Sequence, residues 1–176
     1  PLPDGRVLIA GDSLGGGGAA LSSTEIFDPE TETFSAGPTL PAQRFSAAAA
    51  PVSGGRTLLA GGGPVLGNPS ATSVIFNTAP EPTASGRAFG DQTVDRPSAA
   101  RQISVTNLGA QILRIGGAPV LGGTNAADFA ISGDTCAGRS LSFRQSCEVS
   151  IVFTPSALGA RSATLDIESN TDPVTT

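Results

Sequence analysis

Residues 147–155, Cys-Glu-Val-Ser-Ile-Val-Phe-Thr-Pro, constrain the fold of this chain more than any other stretch. Cys147, Val149, Ile151 and Phe153 alternate with Glu148, Ser150 and Val152. A two-residue period with one apolar side is the pattern of a strand laid on a core. Pro155 has no amide to give to a sheet ladder, so the strand is predicted to stop there. Cys136, the only other cysteine, can tie the start of this strand to a neighbouring segment; two reduced, buried thiols are the alternative. A disulfide would imply an oxidising compartment.

Composition narrows the chemistry further. A chain of 176 residues can form one large domain or two small ones. The aromatic inventory is Phe 8, with no Trp or Tyr, which suits small β-domains joined by glycine turns better than one large globule. There is no histidine, so the usual general base, zinc ligand and triad member are absent. Every one of the 10 cations is arginine, and without lysine there is no Schiff-base chemistry. A net charge of −5 and scattered arginines speak against nucleic acid or an anionic membrane as partner. No run approaches the ~20 apolar residues of a membrane span.

The first half carries an internal repeat. Gly5-Arg-Val-Leu-Ile-Ala10 with Gly11 returns about 50 residues later as Gly55-Arg-Thr-Leu-Leu-Ala60 with Gly61. Thr24-Glu-Ile-Phe-Asp28 returns more weakly as Ser73-Val-Ile-Phe-Asn77. The period and the turn–strand–glycine order resemble kelch repeats, whose units are four-stranded propeller blades. In that resemblance Ser23–Pro29 is a third strand and Thr31–Phe34 a fourth, with Phe34 where the family usually has tryptophan. Arg44–Ala50 then begins the next blade. Residues 1–79 thus read as about one and a half blades, fewer than the 4–8 of a propeller. The chain is therefore expected to be a piece of something longer, or to pack on another subunit. Residues 80–88, rich in Pro, Gly and small polar side chains, read as a linker.

From Phe89 onward short strands alternate with turns, at the spacing of an all-β sandwich. Ile103 and Val105 point inward within Arg101–Asn107; Ile112–Ile115 and Asp128–Ile131 are further strands; Ala163, Leu165 and Ile167 alternate in the last. Phe89-Gly90, Val105-Thr-Asn-Leu-Gly109, Asp128-Phe129, Cys136, Cys147, Val152-Phe-Thr-Pro155, Gly159 and Ser169-Asn170 together resemble the ASPM–SPD–Hydin immunoglobulin-like domain, in its bacterial choice-of-anchor D form. The resemblance implies an immunoglobulin-like β-sandwich over 89–176 and a pairing of Cys136 with Cys147. Closing that loop is worth about 3 kcal/mol. The family's final strand, after the Ser-Asn turn, is missing, which predicts an open sheet edge available to another chain.

Other motifs point to chemistry less well. Gly11-Asp12-Ser13-Leu14 is similar to the nucleophile block of GDSL esterases, but without histidine the serine has no base. The glycine runs at 15–18 and 61–63 lack the Lys and helix of a phosphate loop. Asp12, Glu25, Asp28, Glu30, Glu32, Asp128 and Asp134 have no calcium-loop spacing. Phe143 and Arg144 could form a contact patch. The reading is a non-enzymatic structural or binding segment of a secreted or cell-surface bacterial-type protein: a spacer, anchor or assembly module without cofactor or metal. Its expected partner is protein, itself or a neighbouring domain, with a surface glycan second. The alternatives are a filament subunit built by strand complementation and an accessory fragment of a kelch-propeller carbohydrate-active enzyme.

Overall fold

The computed structural model describes residues 1–13, 19–53, 55–65, 68–171 and 174–175. Among them the chain is all-β, with several small antiparallel sheets and one 3-10 turn at Ala126–Asp128. It divides into two units. The first comprises Pro1–Pro80 and Leu108–Ile112, the second Glu81–Asn107 and Leu113–Thr176.

The first unit holds two three-stranded meanders, β1 (Val7–Ala10), β2 (Thr24–Asp28) and β3 (Thr33–Ala36), then β4 (Ala48–Val52), β5 (Arg56–Ala60) and β6 (Ser73–Asn77). The repeat appears as register: Val7 opposes Phe27 as Thr57 opposes Phe76, and Ile9 opposes Glu25 as Leu59 opposes Val74. Leu8 and Ala10 of β1 pack on a core of Leu40, Leu59 and Phe76. β4 starts later than the predicted Arg44–Ala50 strand. Arg44 and Phe45 make only single bridges, to Leu21 and Gly63, and Ser46 takes φ +53, which breaks an extended run. The buried Arg44 side chain points inward instead, donating to the Gly61 carbonyl at 2.7 Å and the Thr72 carbonyl at 3.2 Å. Gly11, with φ +74, has no room for a Cβ, which would overlap the Arg44 carbonyl. Pro51 is tolerated because β4 is an edge strand.

A charged clamp completes this unit. Arg6 Nη2 binds Asp4 Oδ2 at 2.8 Å and the Ala110 carbonyl at 2.6 Å, while the Ile112 amide donates to Asp4 Oδ2 at 3.1 Å. Ile112 is thereby held in the first unit, so the predicted Ile112–Ile115 strand shrinks to Leu113–Arg114.

The second unit is built on β13 (Ser146–Phe153), an interior strand as predicted. It lies between β11 (Phe129–Asp134) and β8 (Arg101–Asn107), with β7 (Pro82–Thr83) beyond β8. The stretch that reads as a linker thus supplies an edge strand, a position where proline costs no ladder bond. A second sheet orders β10 (Val120–Gly122), β14 (Thr164–Ile167) and β15 (Val174–Thr175), and β9 (Leu113–Arg114) pairs with β12 (Ser140–Leu141). The inward residues of these three sheets share one core: Ile103, Val105, Val149 and Ile151 with Leu113, Leu141, Leu165 and Ile167. Each such side chain contributes roughly 1.5–3 kcal/mol on burial. The sequence predicts no strand after Ser169-Asn170, but β15 pairs with Asp166 and Ile167 of β14, so that edge is partly filled.

Two asparagines lock the strand ends. Asn107, fully buried, accepts from the Glu81 amide at 3.0 Å and donates to the Leu141 carbonyl at 2.9 Å. Asn170 accepts from the Arg114 amide at 2.8 Å and donates its own amide to the Arg114 carbonyl at 3.0 Å. Asn107→Ala leaves a buried donor and acceptor unpaired, so chemical denaturation is expected to show a loss of about 2–3 kcal/mol. An equal midpoint for the variant would refute the clamp.

Candidate functional site

The second unit carries an open cleft of ≈ 820 Å³, within the usual range for ligand pockets. Its apolar wall is built from five strands, β8, β10, β11, β13 and β14, and one irregular segment. Phe129 of β11 and Phe153 of β13 stack with ring centroids 4.7 Å apart, in cross-strand register. Phe89 leans on both at 5.6 and 5.7 Å. Ile103, Ile151, Leu121 and Leu165 continue the lining, and Gly86–Asp91 and the 157–163 loop form the rims. On the latter rim Leu158 is 89% exposed, a large apolar side chain held in water beside an apolar wall.

The two arginines at this cleft serve the fold. Arg161 Nε binds Asp128 Oδ2 at 2.7 Å and its Nη2 binds Ser156 Oγ at 2.7 Å. The Asp128 carbonyl accepts from the Thr154 amide, and Asn125 Oδ1 from the Ser162 amide. These bonds pin both ends of the Leu158 loop. Arg87 Nε is occupied by the Gln102 carbonyl at 2.9 Å. Hydrogen bonding with Ser156 holds the Asp128 carboxyl below its ordinary 3.8; burial opposes this, and Arg161 adds to it. Because the folded value is depressed, the stabilisation is complete above pH 3.8 and disappears as pH falls through the folded value. The Ser162 amide is accordingly expected to lose hydrogen-exchange protection only below that pH. Asp128→Asn should show the loss already at neutral pH; unchanged protection in that variant would count against the loop anchor.

Cys136 and Cys147 form a disulfide with Cα atoms 5.0 Å apart, linking β13 to the turn after β11. Asp134 shapes that turn, its Oδ1 accepting from the Cys136 amide at 2.7 Å. Both cysteines lie in the core rather than at the surface.

The remaining sequence candidates are scattered. Ser13 sits in a single bridge to Ala20, its amide bonded to Asp12 Oδ1 at 2.7 Å. Leu14 and the 15–18 glycine run lie outside the described residues. Asp28 Oδ1 caps the turn that follows β2, accepting from the amides of Glu30 and Thr31. Among the described residues no group of three or more His, Cys, Asp or Glu is placed to hold a metal ion. Arg144, at φ +63, stacks its guanidinium over the Phe143 ring at 5.0 Å on the turn before β13. The cleft itself is absent from the sequence reading. Phe89, Phe129 and Phe153 were visible there only as separate residues, and nothing in their spacing brings three distant rings together.

No family model matches the chain, and no curated protein matches it.

Proposed function

We propose that this chain is a non-catalytic structural and binding segment of a secreted or cell-surface bacterial-type protein. In this reading the second unit is an immunoglobulin-like sandwich of the choice-of-anchor D type, and the first is about one and a half kelch-type blades. The observation that carries the proposal is the cleft of the second unit. Its wall is aromatic and aliphatic, and Arg161 and Arg87, the arginines on its rims, are engaged in holding the backbone and the loop. Such a surface offers apolar burial with little acid–base chemistry, which suits docking of an extended apolar peptide. The disulfide fits an oxidising compartment.

Fluorescence polarisation against labelled octapeptides of apolar, acidic and basic composition tests this. Apolar peptides are expected to bind, and Leu158→Asp to weaken them about tenfold, equivalent to ~1.4 kcal/mol. Binding that ignores both peptide composition and the substitution would overturn the cleft reading. Sustained turnover of ester or glycoside substrates by the pure chain would overturn the non-catalytic one.

One observation favours a second reading, a filament subunit assembled by strand complementation. Among the described residues β15 pairs with Asp166 and Ile167, two of the four residues in β14. A partner strand could extend that edge.

A further inference from the structure

We infer that the first unit carries two complementary open sheet faces through which copies of this chain associate head to tail. The inference deepens the assembly role proposed above, and its test leaves the cleft of the second unit untouched.

The internal repeat supplies the argument. By repeat position Leu8 and Ile26 of the first meander correspond to Leu58 and Ile75 of the second. Likewise Ile9 and Phe27 correspond to Leu59 and Phe76. Each meander therefore has a Leu8-type face and a Phe27-type face, set by strand alternation. Within the unit, the Leu8-type face of the first meander packs on the Phe27-type face of the second: Leu8 and Ala10 against Leu59 and Phe76. That contact uses one face of each kind and leaves one of each kind open.

Both open faces are apolar and exposed. On the first meander Val7 is 37% exposed, Ile9 41% and Phe34 61%, with the Phe34 ring 4.9 Å from that of Phe27. On the second meander Ile75 is 57% exposed and lies directly opposite Leu58. The first face also carries Glu25 and the second Arg56, so the two differ in charge sign. A second copy is the occupant that offers each face the counterpart already seen inside the unit. The interface is heterologous, so a suitable rotation closes it into a ring. With two meanders per chain and about 4–8 blades per closed propeller, a ring needs about two to four copies.

Phe34→Asp spoils one face and Ile75→Asp the other, both at exposed positions. Light scattering with refractive-index detection, at up to about 100 μM chain, reads the mass. The unmodified chain is expected at about two to four times the monomer mass, and each variant alone at the monomer mass. Mixing the two variants should restore a one-to-one dimer that grows no further, because each brings the face the other lacks. An unmodified chain that stays monomeric, an oligomer indifferent to both substitutions, or a mixture that stays monomeric would each overturn the inference. Assembly through the β14 edge gives the second of these results, so the two routes are distinguishable. Far-UV circular dichroism checks the folding of each variant. Where Asp disturbs it, Phe34→Gln and Ile75→Gln take its place, with the same outcomes expected.

Discussion

Arg6→Met is expected to destabilise the first unit by about 3–5 kcal/mol, the largest effect of any single substitution considered for this chain. The Arg6 and Asp4 side chains are 6% and 12% exposed, so removing the guanidinium strands a carboxylate out of water. Burial alone would push the Asp4 carboxyl up; hydrogen bonds and charge from Arg6 and the Ile112 amide hold it below 3.8. The depressed value means that Asp4 stabilises the unit fully above pH 3.8 and loses this as pH falls further. In Arg6→Met the sign should reverse, because the carboxyl is then raised and the variant gains from protonation. Urea midpoints measured from pH 7 down to pH 4 check the reversal in the variant, and midpoints of the unmodified chain carried on below pH 3.8 check the loss. A variant whose deficit is the same at pH 7 and pH 4 would show that the pair is not an electrostatic unit. Replacing both partners, Arg6→Met with Asp4→Leu, should recover only part of the loss. The bonds from Arg6 to the Ala110 carbonyl and from the Ile112 amide to Asp4 would still be lost, at about 1–3 kcal/mol each.

Reduction of the Cys136–Cys147 bond is expected to cost the second unit about 3 kcal/mol. The bond closes a short loop, and most of its effect lies in restricting the unfolded chain. The unit has a small core and β9, β10, β12 and β15 are only two or three residues long, so this increment is a large share of its stability. Calorimetry with and without reductant should show the second unit melting earlier while the first keeps its transition. The double replacement Cys136→Ala and Cys147→Ala should reproduce the shift without reductant. Serine would overstate it, since both positions are buried and each hydroxyl would need a partner. A reduced chain with unchanged melting would refute a stabilising role for the bond.

Much of the second unit was legible beforehand because its signals are local. The alternation from Cys147 to Phe153 gave a strand buried on one side, and the burial of Val149, Ile151 and Phe153 follows it. Leu165 and Ile167 behave the same way in β14. Strands ruled by distant contacts were read less well. Ile112 leaves its expected strand because its amide is taken by Asp4, more than a hundred positions earlier in the chain. Arg44 leaves its strand because its guanidinium finds the carbonyls of Gly61 and Thr72. Pro82–Thr83 resembles a linker in composition, yet the edge of β8 has room for it. The cleft went unseen for a similar reason: only the cross-strand register brings Phe129 onto Phe153, and only the folded path of the segment before β8 adds Phe89.

By itself the sequence determined the all-β class, the repeat in the first half and the strand at the centre of the second unit. These follow from period-two hydrophobicity, turn residues and self-similarity, each of which acts over a few neighbouring positions. Only the tertiary structure decided which face of each meander is covered. Alternation makes both faces of β1 and β2 apolar in places, and a strand pattern cannot say which of them meets another sheet. That choice depends on packing Leu8 and Ala10 against Leu59 and Phe76, far away along the chain. It leaves Val7, Ile9 and Phe34 on one side and Ile75 on the other in contact with water.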